Sequence, residues 1–197
     1  KLFNNAVFVI LCTVVDGIKT DNTSLFVFKV IVVILRILVL GILNNILGAE
    51  YLYNILIQLL GRDRCYGLEN PGHRKIRQVC EANGVAVAPI ALDESGASLT
   101  GLLDSQADVL HISPGHQYPT GVVMPIVRRR QLMNWVGSED RWIVEDDYDS
   151  EFRFDARPVR SMQTMAPDRV IYINTFSKSL APSIRIGYMI LPPRLIE

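Results

Sequence analysis

The chain has 197 residues, enough for one sizeable domain and part of another. Its 20 basic and 20 acidic residues cancel, so net charge makes no case for a nucleic-acid or acidic partner. Cys12, Cys65 and Cys80 are far apart without a CxxC pair, and His73, His111 and His116 lack zinc spacing, so neither a disulfide scaffold nor a zinc module is expected and the reducing cytoplasm is the expected compartment.

Residues 1–47 form an apolar segment rich in Val, Ile, Leu and Phe. Within it, LFVFKVIVVILRILVLGIL (25–43) has nearly the length of a membrane span. Lys29 and Arg36 interrupt it, and each charge costs about 2.5–3.5 kcal/mol at the centre of a span. A membrane span is therefore disfavoured, and buried β/α structure is one alternative. A third reading is that the segment is not natively continuous with the chain from residue 48 onward. KLFNNAVFVILCTVV lacks the small-residue cleavage site of a signal peptide.

From residue 48 onward, helical and extended patterns alternate. AEYLYNILIQLLG (49–61) is predicted helical, because Leu52, Ile55, Leu56, Leu59 and Leu60 fall three and four apart and Gly61 closes it. Tyr51 and Tyr53 on that helix are either core aromatics or residues that reach a pocket. RCYGLEN (64–70) reads as a strand ending in a Pro71-Gly72 turn. HRKIRQVCEANG (73–84) reads as a helix with Ile76, Val79 and Cys80 on one face and Asn83-Gly84 as its stop. VAVAPIAL (85–92) is a strand, SLTGLLDSQ (98–106) a short helix and ADVLHIS (107–113) a strand. PIVRRRQLMNWV (125–136) is a helix with Pro125 at its first helical position. RWIVEDD (141–147) and RVIYINT (169–175) are strands. Such alternation predicts a mostly parallel sheet covered by helices on both faces, a three-layer α/β fold.

The polar chemistry lies where the strands end, the place where open parallel sheets bind ligands. ADVLHI runs into SPGHQYPTG, RWIV into EDDYDSEF and RVIYIN into TFSKS. The acidic cluster after Val144 has three readings: a solvated turn, a carboxylate metal site, or a half-buried Asp that needs a cationic partner. Lys178, Arg185 or a cation on a ligand would serve as that partner. Lys178 beside Phe176 is partly desolvated, which lowers the amine pKa and makes it a nucleophile toward carbonyls. Thr175, Ser177 and Arg185 are groups that hold a phosphate dianion. A lysine, a phosphate clamp and an upstream aspartate together suggest pyridoxal 5'-phosphate, whose pyridine nitrogen the Asp keeps protonated.

HQYPTG (116–121), EDDYDSEFRF (145–154) and TFSKSLAPSIRIGYM (175–189) resemble the aminotransferase-like domain of MocR/GabR-type, GntR-family transcriptional regulators, which are fold-type I pyridoxal-phosphate proteins. The resemblance covers 48–197 and implies the large, cofactor-binding domain. It makes Lys178 the catalytic Schiff-base lysine, pairs Asp146 with the pyridine nitrogen and brings Tyr148 to the ring's phenolic oxygen. It assigns the phosphate to Thr175, Ser177 and Arg185. His73 in ENPGH stands where the family's aromatic stacks on the cofactor ring, and Lys75 where a relative uses a basic residue for the substrate carboxylate. Tyr118 stands where ordinary aminotransferases have Asn. Gly48 and Ala49 are what remains of a Gly/Ser/Thr-rich phosphate loop before the helix at 49, and its hydroxyl donor is missing.

Residues 1–47 do not resemble the family, and the chain stops at LPPRLIE, where the family continues into a small C-terminal domain. The expectation is a partial large domain, with the small domain and the winged helix-turn-helix domain absent. The implied function is sensing of an amino acid or amine in a regulator that is a homodimer when whole and reaches DNA only through the absent domain. The alternatives are a working aminotransferase and a fragment that keeps motifs without function.

Overall fold

The computed structural model describes residues 49–137, 140–149, 160–175 and 187–196, together with the backbone of 31–34. In chain order the elements are β1 (Ile31–Ile34), α1 (Ala49–Leu60), β2 (Cys65–Asn70), α2 (Arg74–Ala82), β3 (Ala86–Asp93), β4 (Gly96–Ala97), α3 (Leu99–Leu103), β5 (Val109–Ile112), α4 (Ile126–Val136), β6 (Trp142–Asp147), α5 (Met162–Met165), β7 (Val170–Thr175) and β8 (Gly187–Ile190), with a 3-10 turn at Pro193–Leu195. The strands form one sheet in the order β1-β8-β7-β6-β5-β2-β3-β4. From β3 through β2, β5 and β6 to β7 every pairing is parallel, while β4, β8 and β1 pair antiparallel at the two edges. Of the apolar segment 25–43, Ile31–Ile34 is therefore an edge strand, with Ile31 opposite Ile190. No helix among the described residues is long and apolar enough to cross a membrane.

Side chains alternate across each strand, and the core divides accordingly into two layers. Trp142 and Val144 of β6 and Ile171 and Ile173 of β7 join Leu52, Leu56 and Leu68 beneath α1 and α2. Ile143 and Val170 join Leu110, Ile112 and Leu132 on the opposite face, beneath α3, α4 and α5. This is the expected three-layer arrangement.

Two local expectations are corrected. The buried stripe of α1 is Leu52, Tyr53, Leu56, Ile57 and Leu60, whereas Ile55 and Leu59 are only half-buried. The helix lies on the sheet and also against α2, so the side it buries is turned toward Tyr53 and Ile57. The seat is close: a Cβ on Gly187 would lie 2.8 Å from Leu52 Cδ1. Pro125 is the N-cap of α4 rather than its first helical residue, because its ψ of 156° is extended. Gly61 does end α1, with φ +101° and its N–H bonded to Ile57 O at 3.0 Å.

Candidate functional site

Alternation sorts the acidic cluster at the end of β6 into two environments. Asp146 shares a face with Val144, and Val144 pairs with His111, which pairs with Leu68. That face lies under α1. Tyr53 of α1 is buried there, and its hydroxyl donates to Asp146 Oδ2 at 2.8 Å. The same hydroxyl lies 2.8 Å from Nε2 of buried His111, with the two rings edge to face at 5.3 Å. A phenol has one proton, and Tyr53 gives it to Asp146. His111 Nε2 must therefore carry a hydrogen, or two lone pairs would face each other. The result is a relay from His111 to Tyr53 to Asp146, with His111 Nε2 itself 3.5 Å from Asp146 Oδ2. Burial, reinforced by Asp146, pushes the Tyr53 phenol well up, so it stays a donor. Among the described residues Asp146 is met by this hydroxyl and imidazole, while Lys178 and Arg185, the cationic partners expected for it, lie outside them.

Glu145 and Asp147 point to the other face. Glu145 is buried and accepts the backbone N–H groups of Met162 and Gln163, both at 3.0 Å. Burial pushes its carboxyl up to about 7 against the pull of those N–H groups and of Arg129. Asp147 accepts from the Tyr172 hydroxyl at 2.6 Å. Arg129 is buried at 1% exposure, and its guanidinium donates to the carbonyls of Met124, Arg160 and Pro114. These groups tie the loops after β5 and before α5 onto the sheet beneath the site. Among the described residues, no group of three or more His, Cys, Asp or Glu is placed to hold a metal ion.

A cavity of about 140 Å³ opens at the ends of β2 and β5, lined by Glu69, His73, Arg74, Arg77, His111 and Tyr118 among others. His73 caps α2 through Nδ1, which accepts the Lys75 N–H at 3.3 Å, and its ring meets Tyr118 at 5.3 Å. Glu69 is buried beside His111. Its Oε2 accepts from Ser113 N–H and Gln117 Nε2, while its Oε1 has no partner among the described residues. Burial pushes this carboxyl up to about 7, with His111, the Ser113 N–H and Gln117 opposing.

Of the residues singled out in the sequence, Asp146, His73, Tyr148, Thr175 and Ala49 are placed by the structure. Tyr148 stacks on His116 at 6.1 Å, and His116 is also paired with Asp149. Thr175 ends β7 half-buried, its N–H bonded to Asn174 Oδ1. Ala49 opens α1. Lys75 does not line the cavity; its ammonium pairs with Glu50 at 2.7 Å on the surface. Lys178, Ser177, Arg185 and Gly48 lie outside the described residues. Sequence reasoning passed over His111, Glu69 and Gln117 and left Tyr53 open. The available signal was parity: His111 lies on the Asp146 face once β5 and β6 are paired, but the pairing register is not written in either strand.

Against known proteins, the family model described as aminotransferase class I and II matches residues 47–197. YdeL of Bacillus subtilis, named as an uncharacterized HTH-type transcriptional regulator, is 41% identical over 151 residues, 76% of this chain and 33% of that protein. The HTH-type pyridoxine biosynthesis transcriptional regulator PdxR of Corynebacterium glutamicum is 33% identical over 145 residues, 74% of this chain and 32% of that protein. The chain thus spans about a third of the length of the curated relatives it matches. Among solved structures, kynurenine aminotransferase of Pyrococcus horikoshii, in complex with PMP, superposes with a TM-score of 0.69 at 28% identity, covering 76% of this chain and 40% of that one.

Proposed function

The chain belongs to the aminotransferase class I and II family, and on that premise we propose that it is the pyridoxal-phosphate-binding part of a sensor for an amino acid or amine in a transcriptional regulator. The observation that carries the cofactor reading is Asp146. Its Oδ2 is engaged by Tyr53, and its Oδ1 accepts nothing from the described residues. A half-buried carboxylate with one oxygen held and one free suits a pyridinium N–H. Bound pyridoxal phosphate supplies an electron-withdrawing ring. Asp146 would hold the ring nitrogen's proton, with Tyr53 and His111 fixing the carboxylate's orientation. Thr175, Ser177 and Arg185 would hold the phosphate and Lys178 the aldehyde carbon, with Gly48 and Ala49 contributing backbone at the start of α1. Tyr148 and His73 would approach the ring.

The regulator reading is supported by the names of the relatives, several of which are HTH-type transcriptional regulators. In the whole protein, DNA contact would belong to a helix-turn-helix domain of that kind, acting in the cytoplasm, and the working unit would be a homodimer. A second reading, a working aminotransferase, is favoured by the likeness to the kynurenine enzyme. The test is to add pyridoxal phosphate and record the visible spectrum, then reduce with borohydride and map the label. The expected result is a visible band and a label on Lys178, both lost in Lys178→Ala. No band in the native chain, or a band that survives that substitution, overturns the cofactor reading. Turnover of an amino acid with a keto acid would decide for the enzyme over the sensor.

A further inference from the structure

Two turns carry the aromatic residues of the cavity, and one buried side chain holds both. Gln117 is 2% exposed. Its Nε2 donates to Pro71 O at 2.9 Å, in the turn that carries His73, and to Tyr118 O at 2.6 Å. It also reaches Glu69 Oε2 at 3.3 Å. Its Oε1 accepts from the Thr120 N–H at 3.1 Å and the Thr120 hydroxyl at 2.6 Å. Glu69 in turn accepts from Ser113 N–H at the end of β5. At neutral pH a primary amide both donates and accepts from the two atoms on one carbon, which is what this position requires. The rings of His73 and Tyr118, one from each turn, are in contact with centroids 5.3 Å apart. The two turns therefore meet through these rings as well as through Gln117.

We propose that Gln117, braced by Glu69, is a positioning residue that clasps the 70–73 turn to the 118–121 turn and so sets His73 against Tyr118 as the aromatic wall of the ligand pocket. The wall's part in holding the cofactor rests on the function proposed above; the clasp itself does not. Neither Gln117 nor Glu69 is required to touch the ligand. The charged or titratable groups around the clasp are His111 of β5, Asp146 of β6, His73, and Arg74 and Arg77 of α2. Glu69 has a carboxyl that burial pushes up to about 7, so the brace itself titrates near neutrality.

The experiment uses the whole chain with Gln117→Leu, Gln117→Glu and Glu69→Gln, and two readouts. The first needs no cofactor: the NMR cross-relaxation between the His73 and Tyr118 rings. It is expected in the native chain and in Glu69→Gln, and lost in Gln117→Leu. The second is affinity for pyridoxal 5'-phosphate by absorbance, expected to fall at least tenfold in Gln117→Leu. Gln117→Glu faces three acceptors with a carboxylate at neutral pH. It should lose both signals there and regain them in acid, where the protonated acid again donates. A Gln117→Leu chain that is folded and keeps the ring contact overturns the proposal. If Gln117→Leu fails to fold, Gln117→Glu decides: recovery in acid supports the clasp, and a contact indifferent to pH overturns it. If the native chain shows no cofactor band, the functional reading fails, and the ring contact still decides the clasp.

Discussion

Glu69→Gln offers a sharp thermodynamic test, because it removes a charge the fold disfavours while keeping the carbonyl that Ser113 and Gln117 bond. The folded carboxyl sits at about 7 against an ordinary 4.5, chiefly through burial. A folded value above the unfolded one means that the neutral acid is favoured by folding. Its stabilisation is complete below about pH 4.5 and is lost as pH rises toward about 7. At 1.36 kcal/mol per pH unit the full loss is about 3 kcal/mol, of which about 2.5 kcal/mol falls between roughly pH 5 and pH 8. The amide cannot ionise. Urea unfolding of both proteins at those two pH values should therefore show the native chain losing about 2.5 kcal/mol more than Glu69→Gln. The comparison is read at unchanged m-value. Glu145, also raised to about 7, stays in both proteins and cancels in the difference. Parallel pH dependence of the two proteins, within about 0.5 kcal/mol, would refute the assignment of a raised Glu69.

Tyr53→Phe keeps the ring but strips the hydroxyl from between His111 and Asp146, leaving buried Nε2 without its acceptor. A loss of about 1–3 kcal/mol is expected by chemical denaturation, together with weaker pyridoxal-phosphate binding by absorbance titration. Gly187→Ala drives a methyl to 2.8 Å from Leu52 Cδ1 and should cost about 1–3 kcal/mol, partly restored by adding Leu52→Val, in a double-mutant cycle of melting curves. Arg129→Met removes a buried guanidinium from the carbonyls of Met124, Arg160 and Pro114, of which Pro114 O keeps the Met124 N–H. A loss of about 3 kcal/mol or more is expected by urea unfolding, against less than about 0.5 kcal/mol for Leu103→Ala on the surface.

Much of the architecture was legible in order along the chain. A strand followed by a helix is a local pattern, set by side-chain period and by breakers such as Gly61 and Asn83-Gly84. Strand β6 with its acidic end, β7 with Thr175, and the turn at Tyr118 all follow from it. The same reading named Asp146 by residue type and by its place after an apolar run. It misjudged the buried stripe of α1, because that stripe depends on which neighbours the helix leans against and not on the spacing of leucines alone.

What no local pattern contains is pairing across the sheet. Whether Asp146 meets His111 is decided by the β5–β6 register, since a slip of one residue would send either side chain to the opposite face. Whether Tyr53 reaches both is decided by how α1 sits over β8 and Gly187. The joining of the 70–73 and 118–121 turns by Gln117 spans 46 residues of chain and exists only once β2 and β5 lie side by side. The sequence alone determined the chemical inventory and the strand ends that carry it, because those depend on residue type and period. Tertiary structure decided which members of that inventory share a face, a proton or a turn, because partnership is a property of register and packing.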